Sequence, residues 1–230
     1  LIVVRLPTAA IADVIVLVGF FALARFFLAL AGMDIGTAFG GMGSSREMTI
    51  ASLTEPATLM AIFTLSVTAS STNLSFAIEQ ILNEGLILRP SFIFALLGLL
   101  LVTIAETGRV PVDNPDTHLE LTMVHEAMIL EYSGRHLALI EWASQIKLMI
   151  YGVLIANIFF PWGIATRFDT SSLLLGLLAI FGKLAVMAIL LGLSETMMAK
   201  MRLFRVPLFL NLAFLLSLLG MLSHVVLEVG

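Results

Sequence analysis

Glu47 and Glu55 stand eight residues apart in a stretch otherwise apolar enough to cross a membrane. On a straight helix that spacing puts them about 80° apart in azimuth and about 12 Å apart along the axis. Two carboxylates so placed can pass a proton through water. Asp13, Arg25, Glu141, Lys147, Lys183 and Glu195 also fall within or at the edges of apolar runs. An ionisable side chain at mid-membrane costs about 2.5–3.5 kcal/mol even on the mildest scales, so such groups face a protein interior or a hydrated path. Proton or ion handling is therefore the first expectation. Blander roles compete with it: Asp13 and Glu195 also fit as caps or end charges at the interface, and Lys147 and Lys183 as snorkelling side chains. Glu141 and Gln145, at i and i+4, share one helical face.

The stretch Ala105 to Glu141 holds most of the remaining chemistry. Pro111 and Pro115 impose extended, rigid backbone. Arg109 has Glu106 and Asp113 nearby in sequence as ion-pair partners. Glu106, Asp113, Asp116, Glu120, Glu126 and Glu131 crowd carboxylates together, and such neighbours raise one another's proton affinity. Composition alone slightly favours a solvated acidic loop. His118, His125 and His136 lie in this loop without a tight metal-ligand spacing, a weak zinc signal. His224 reads as an interface residue, and the 12 methionines as packing material.

These residues need elements to hold them, and composition indicates which. Of 230 residues 60% are hydrophobic and 12% charged, with mean hydropathy +1.07. Soluble domains carry roughly twice that charge. At about 20 residues per membrane-crossing helix, the chain divides into six spans, approximately 9–31, 44–70, 91–105, 137–160, 171–193 and 206–226. We expect an all-α, polytopic membrane helix bundle forming a single membrane domain over residues 1–230. The glycines of 32–43 read as a loop. Ser44 and Ser45 are N-cap candidates with Glu47 in the first turn, and Pro56 predicts a kink or frayed turn. Residues 71–90 read as an external loop with a short amphipathic helix at 76–82. Residues 106–136 cannot cross a bilayer.

The net charge of −4 argues against nucleic acid, which needs a basic patch. The lack of cysteine excludes disulfides and thiolate-held clusters; we expect no catalytic centre and no metal site on this chain. Any redox cofactor belongs to another subunit or is diffusible. Arg46, Arg109, Arg135, Lys200, Arg202 and Arg205 fall on one side of the six spans; Arg5, Arg89 and Arg167 fall on the other. The richer side is expected to be cytoplasmic, placing the 106–136 loop there and the protein in the inner (cytoplasmic) membrane.

The motifs carry a resemblance. The run Glu106, Arg109, Pro111, Asp113, Pro115, Glu120 and Leu121, followed by Glu131, Tyr132, Ser133 and Gly134, resembles the pattern E-x-x-R-x-P-F-D-x-P-E-A-E-x-E-L and then E-Y-S-G. That pattern marks the quinone-chamber membrane subunit of respiratory complex I (NADH:quinone oxidoreductase) and its homologues in group 4 [NiFe] hydrogenases and hydrogenlyases. Gly43, Arg46 and Glu55 match a second motif, G-x-x-R with a glutamate nine residues on. The stretches 40–48 and 195–207 look more like the hydrogenase branch, of formate hydrogenlyase and hydrogenase-4 type. Val112 replaces a phenylalanine, Asp116 and His118 stand where glutamates are usual, and about three residues are inserted between Glu120 and Glu131. The family has eight spans, and its first helix and basic loop have no counterpart here, so we expect a preceding segment.

The resemblance implies a subunit of an oxidoreductase complex that binds no cofactor itself, with the [NiFe] centre and iron–sulfur clusters on partners. Those partners would be hydrogenase-like large and small subunits and iron–sulfur subunits of a peripheral arm, docked on loop 106–136, with antiporter-like membrane subunits alongside. It admits a quinone too; the departures fall where the family shapes its quinone chamber. In that setting Glu47, Glu55, Glu106, Asp113, Glu120, Glu131 and Glu141 form the expected relay for H⁺ or Na⁺, with Arg46, Arg109, Lys147 and Lys183 as charge partners. The rival readings are a passive anchor for the redox module, a quinone-binding complex I subunit, and a free-standing transporter, which the lack of repeated broken spans disfavours.

Overall fold

The computed structural model describes residues 13–68, 70–84, 89–113, 123–165 and 169–228. It is all-α: α1 Val14–Asp34, α2 Ala38–Thr68, α3 Leu74–Glu84, α4 Pro90–Glu106, α5 His125–Ile129, α6 Gly134–Ile158, α7 Thr170–Met197 and α8 Val206–Ser223. A short 3₁₀ turn, Leu203–Arg205, leads into α8, and a π-helical turn, His224–Glu228, follows it. The helices α1, α2, α6 and α7, and the stretch Leu203–Leu227 built on α8, are long and apolar enough to cross a membrane. The protein is a multi-pass membrane protein. The expected third span is α4, which is apolar but only 17 residues long, about 25 Å.

Local chemistry sets the boundaries. Asp13 caps α1, its Oδ1 accepting from the amides of Ile15 (2.8 Å) and Val16 (3.4 Å). Its Oδ2 accepts from the Thr72 hydroxyl at 2.7 Å, and Val14 N donates to Thr72 O at 3.1 Å. The start of α1 is thereby tied to the link after α2. The Thr72 hydroxyl, and then the Ile15 amide, hold the Asp13 carboxyl below its ordinary range. Asn73 caps α3 in the same way, through the amides of Ser75 and Phe76. Pro90 and Pro207 occupy first-turn positions of α4 and α8, where no amide is needed.

The expected loop at 32–43 is a correction. α1 runs on to Asp34, and α2 begins at Ala38, where the Thr37 hydroxyl accepts from Gly40 N. Only Gly36, at φ +71°, makes the turn. Gly32, Gly40 and Gly43 lie within helices and permit close approach. A Cβ on Gly40 would sit 2.2 Å from the Gly32 carbonyl, and one on Gly43 would meet Ala127, Met128 and the Val124 carbonyl. Ser44 and Ser45 are consequently inside α2, not at its start. The buried Ser44 hydroxyl donates to Ala29 O on α1. Pro56 is accommodated within the helix.

α4 and α8 run along each other and both pack on α2; α1 covers another side of α2, and α5 lies against α1 and α2. The α4–α8 contact is made of small residues: a Cβ on Gly98 would lie 2.2 Å from Ser217 Oγ, and one on Gly220 would lie 3.0 Å from Ser91 O. Such residues let helices approach where lipid offers no hydrophobic drive. A central cluster of Ala61, Leu65, Ala95, Leu99, Tyr151 and Ile155 joins α2, α4 and α6. α7 lies outermost, against α6, and turns Leu175, Leu178 and Ile189 outward, each about two-thirds exposed.

Candidate functional site

Arg25 is the hub of the site. It lies midway along α1 with 4% of its surface exposed, in a helix whose other residues, Asp34 at its end apart, are apolar or small. Its guanidinium meets carboxylates from two other helices. Nη2 pairs closely with Glu106 Oε1 at the end of α4, Nε lies 3.5 Å from Glu47 Oε1 on α2, and Nη1 lies 3.9 Å from Glu55 Oε1 further along α2. Nη1 also donates to the buried Thr54 hydroxyl at 2.8 Å. From α6, Lys147 Nζ approaches Glu106 Oε2 at 2.7 Å. Arg25 Nε and Glu106 Oε2 nonetheless lack an aligned hydrogen bond, so ion pairing holds them without saturating them.

Four helices thus bring three carboxylates to two cations. With all five groups ionised the cluster is one negative charge in excess, inside a bundle where an uncompensated charge is expensive. One proton balances it. Tyr151, buried and stacked on Phe21 with ring centroids 4.8 Å apart, flanks the cluster from the α6 side.

A cleft of about 800 Å³ opens between α1 and α6 onto these charges. Its walls are apolar, with Phe20, Phe21 and Phe27 facing Leu139 and Ile140. Arg25, Glu47, Glu106 and Lys147 line its inner end, and His125, Tyr132 and His136 also contribute. The Tyr132 hydroxyl donates to Ala31 O at 3.1 Å, fixing the segment after α5 to α1. The residues present fit an amphiphile with a polar head, a quinone among them.

A second charged layer lies beyond α4. Asp113 is 2% exposed; its Oδ2 accepts from the amides of Val124 (3.3 Å) and His125 (3.0 Å), and its Oδ1 from Lys200 Nζ at 3.0 Å. Arg109 Nη1 pairs with Glu195 Oε1 at 3.3 Å, and Met201 N donates to Pro111 O at 2.9 Å. The link between α7 and α8 is thereby bound to the segment that follows Glu106. This non-helical backbone is shielded by protein, as Val112 and Asp113 at 2% exposure indicate.

Of the expected relay residues, Glu47, Glu55 and Glu106 come together with Lys147. Asp113 belongs to the second layer, and Glu131 and Glu141 are exposed. Glu120 lies outside the described residues, as do Asp116 and His118. Arg46 donates to Met123 O at 2.7 Å, and Arg109 pairs with Glu195. Lys183 Nζ donates to Phe160 O at 2.6 Å and Ala156 O at 3.4 Å, below the Trp162 ring 5.0 Å away; it caps the end of α6. Among the described residues no group of three or more His, Cys, Asp or Glu is placed to hold a metal. Arg25 is recognisable in the sequence as a charge in an apolar run, but its role as hub is not, because its partners lie on two other helices. Thr54 and Lys200 give no sequence signal of such roles.

A multi-pass helical membrane protein with a buried charge cluster under an apolar cleft is the class that fold and site define. The chain belongs to the NADH dehydrogenase family, whose sequence model matches residues 2–225 and which includes a membrane subunit of complex I. It is similar to formate hydrogenlyase subunit 4 of Escherichia coli (strain K12), at 32% identity over 197 residues, covering 86% of this chain and 63% of the relative. It is also similar to hydrogenase-4 component C of the same organism, at 33% over 196 residues, covering 85% and 61%. The chain spans somewhat under two thirds of the length of these relatives.

Proposed function

We propose that this protein is the membrane subunit of a group 4 hydrogenase or hydrogenlyase-type complex, and that it couples electron transfer in a cytoplasmic arm to translocation of H⁺ or Na⁺. In this reading α4 crosses with the five longer helices, making six spans. The 106–136 segment faces the cytoplasm of the inner membrane and docks the hydrogenase-like and iron–sulfur subunits, while antiporter-like subunits flank the bundle. The observation that carries it is the Arg25 cluster: three carboxylates on two cations, one charge in excess, at membrane depth. A cluster poised between charge states takes up and releases a proton when a neighbouring charge moves. Glu106 is the natural receiver. It lies between Arg25 and Lys147, and the chain runs directly from it into the Arg109–Asp113 layer and the docking loop. A shift in that layer moves Glu106 against its partners, and the excess charge passes to Glu47 or Glu55.

The test is Glu55→Gln and Glu47→Gln in the assembled complex. Hydrogen chemistry by the peripheral arm with artificial carriers should persist, while ion uptake into vesicles per electron pair should fall. Full uptake in both variants would leave the passive-anchor reading. A second reading, a quinone-binding subunit, is supported by the α1–α6 cleft. A quinone would supply two-electron carrier chemistry there, with Tyr132, His125 and His136 as the available hydroxyl and imidazole groups. Saturable displacement of a fluorescent short-chain quinone, weakened by Phe20→Ala, would favour that reading.

A further inference from the structure

α2 carries an outward face whose chemistry does not suit lipid. Ser45, Thr49, Ser52 and Pro56 lie along it, at spacings of four, three and four residues, which is one side of a helix. The hydroxyls satisfy themselves on their own helix: Ser45 donates to Met42 O, Thr49 to Ser45 O, and Ser52 to Thr49 O. Two other groups, one on this face and one on its flank, do not. Pro56 has no amide hydrogen, so the Ser52 carbonyl lacks the donor that a helix supplies four residues on. Glu55 has 39% of its side chain exposed. Its approach to Arg25, at 3.9 Å, is longer than a hydrogen bond. Glu55 is about 26 Å from the first residue of α2 and about 20 Å from the last, deep in the membrane if α2 spans it.

Glu47 and Glu106 line the α1–α6 cleft, whereas Glu55 does not. Arg25 therefore stands between carboxylates that open to the cleft and one that opens to the outer surface of α2. A partly exposed carboxylate beside a carbonyl short of its donor, at that depth, calls for donors from beyond the described residues.

We propose that the Ser45–Pro56 face of α2 docks a membrane-crossing helix of a neighbouring subunit, one that presents a hydrogen-bond donor, neutral or cationic, to Glu55 and the Ser52 carbonyl. The proposal rests on the reading of this chain as one subunit of a membrane complex. A second copy of the chain is the poorer occupant, because a two-fold contact on this face sets Glu55 against Glu55. Ser45, Thr49 and Ser52 are small enough for close approach, with the exposed Met48 beside them as an apolar contact. Glu55 is then the point at which the buried cluster meets the next subunit.

The chain lacks cysteine, so one introduced thiol reports one position. Ser52→Cys and Thr49→Cys in the full complex, labelled in native membranes with a maleimide photo-crosslinker, test the docking. Leu178→Cys on α7 controls for reagent reaching the lipid phase. The expected result is a covalent adduct from both α2 positions to a single membrane subunit, mapped by mass spectrometry to an apolar helix bearing a donor side chain. Adducts to lipid alone, to a second copy of this chain or to another segment of the same polypeptide, or ready labelling by a membrane-impermeant maleimide, would overturn it. Ion uptake by Glu55→Gln separates the two claims. Adducts with undiminished uptake leave the docking standing without the relay, and lost uptake without adducts leaves the relay standing without the docking.

Discussion

At the scale of the residue, Arg25 does what neither of its neighbours on α1 can: it makes three carboxylates tolerable inside an apolar bundle. Removing it leaves Glu47 and Glu106 facing Lys147 alone, and breaking a buried pair by deleting one partner costs about 3–5 kcal/mol. Arg25→Ala should therefore lower thermal stability in detergent sharply. Combining it with Glu106→Gln should recover part of the loss, because the stranded charge goes with its partner. Asp13 is a surface counterpart whose effect depends on pH. Its carboxyl is held below the ordinary value of 3.8 by the Thr72 hydroxyl and the Ile15 amide, so its contribution is fully present above that value and is lost as pH falls through the depressed one. Protection of the Ile15 and Val16 amides against hydrogen exchange, corrected for intrinsic rates, should stay level from neutral pH to about 5 and drop below about 4. Asp13→Asn should weaken that protection at neutral pH.

At the scale of the element, the helices are legible where apolar runs end in punctuation. The third span is expected at 91–105 and α4 is Pro90–Glu106, bounded by a first-turn proline and by Gly108 at φ +60°. Glycine misleads between α1 and α2, because one residue type serves both turns and close packing, and only three-dimensional neighbours tell them apart. Gly36 turns the chain; Gly32, Gly40 and Gly43 let α1, α2 and α5 touch. The same logic governs α4 and α8. Gly98→Ala should destabilise the bundle by about 1–3 kcal/mol through overpacking, since the new methyl would meet Ser217 Oγ. Ser217→Ala should relieve much of that loss. Thermal unfolding of the single and double variants measures the coupling.

At the scale of the whole molecule, the candidate site is half legible. Spacing alone places Glu47 and Glu55 on one helix, and depth marks Arg25 and Lys147 as charges needing partners. No local pattern could show that Glu106, the start of the acidic motif, turns inward to join them, whereas Asp113, seven residues on, binds Lys200 from the α7–α8 link. The motif thus divides between two layers, a buried cluster and a tie between distant segments, with one short stretch of backbone joining them. In the proposed mechanism that stretch is what links the state of the loop to the charge balance at membrane depth.

The central claim is that the surplus carboxylate carries the translocated ion. Its most direct measurement is ion uptake per electron pair in vesicles containing the whole complex with Glu55→Gln. The expected result is normal assembly and normal electron transfer to artificial carriers, with uptake reduced several-fold. Assembly, electron transfer and uptake all at the unmodified level, in Glu55→Gln and in Glu47→Gln alike, would contradict the account.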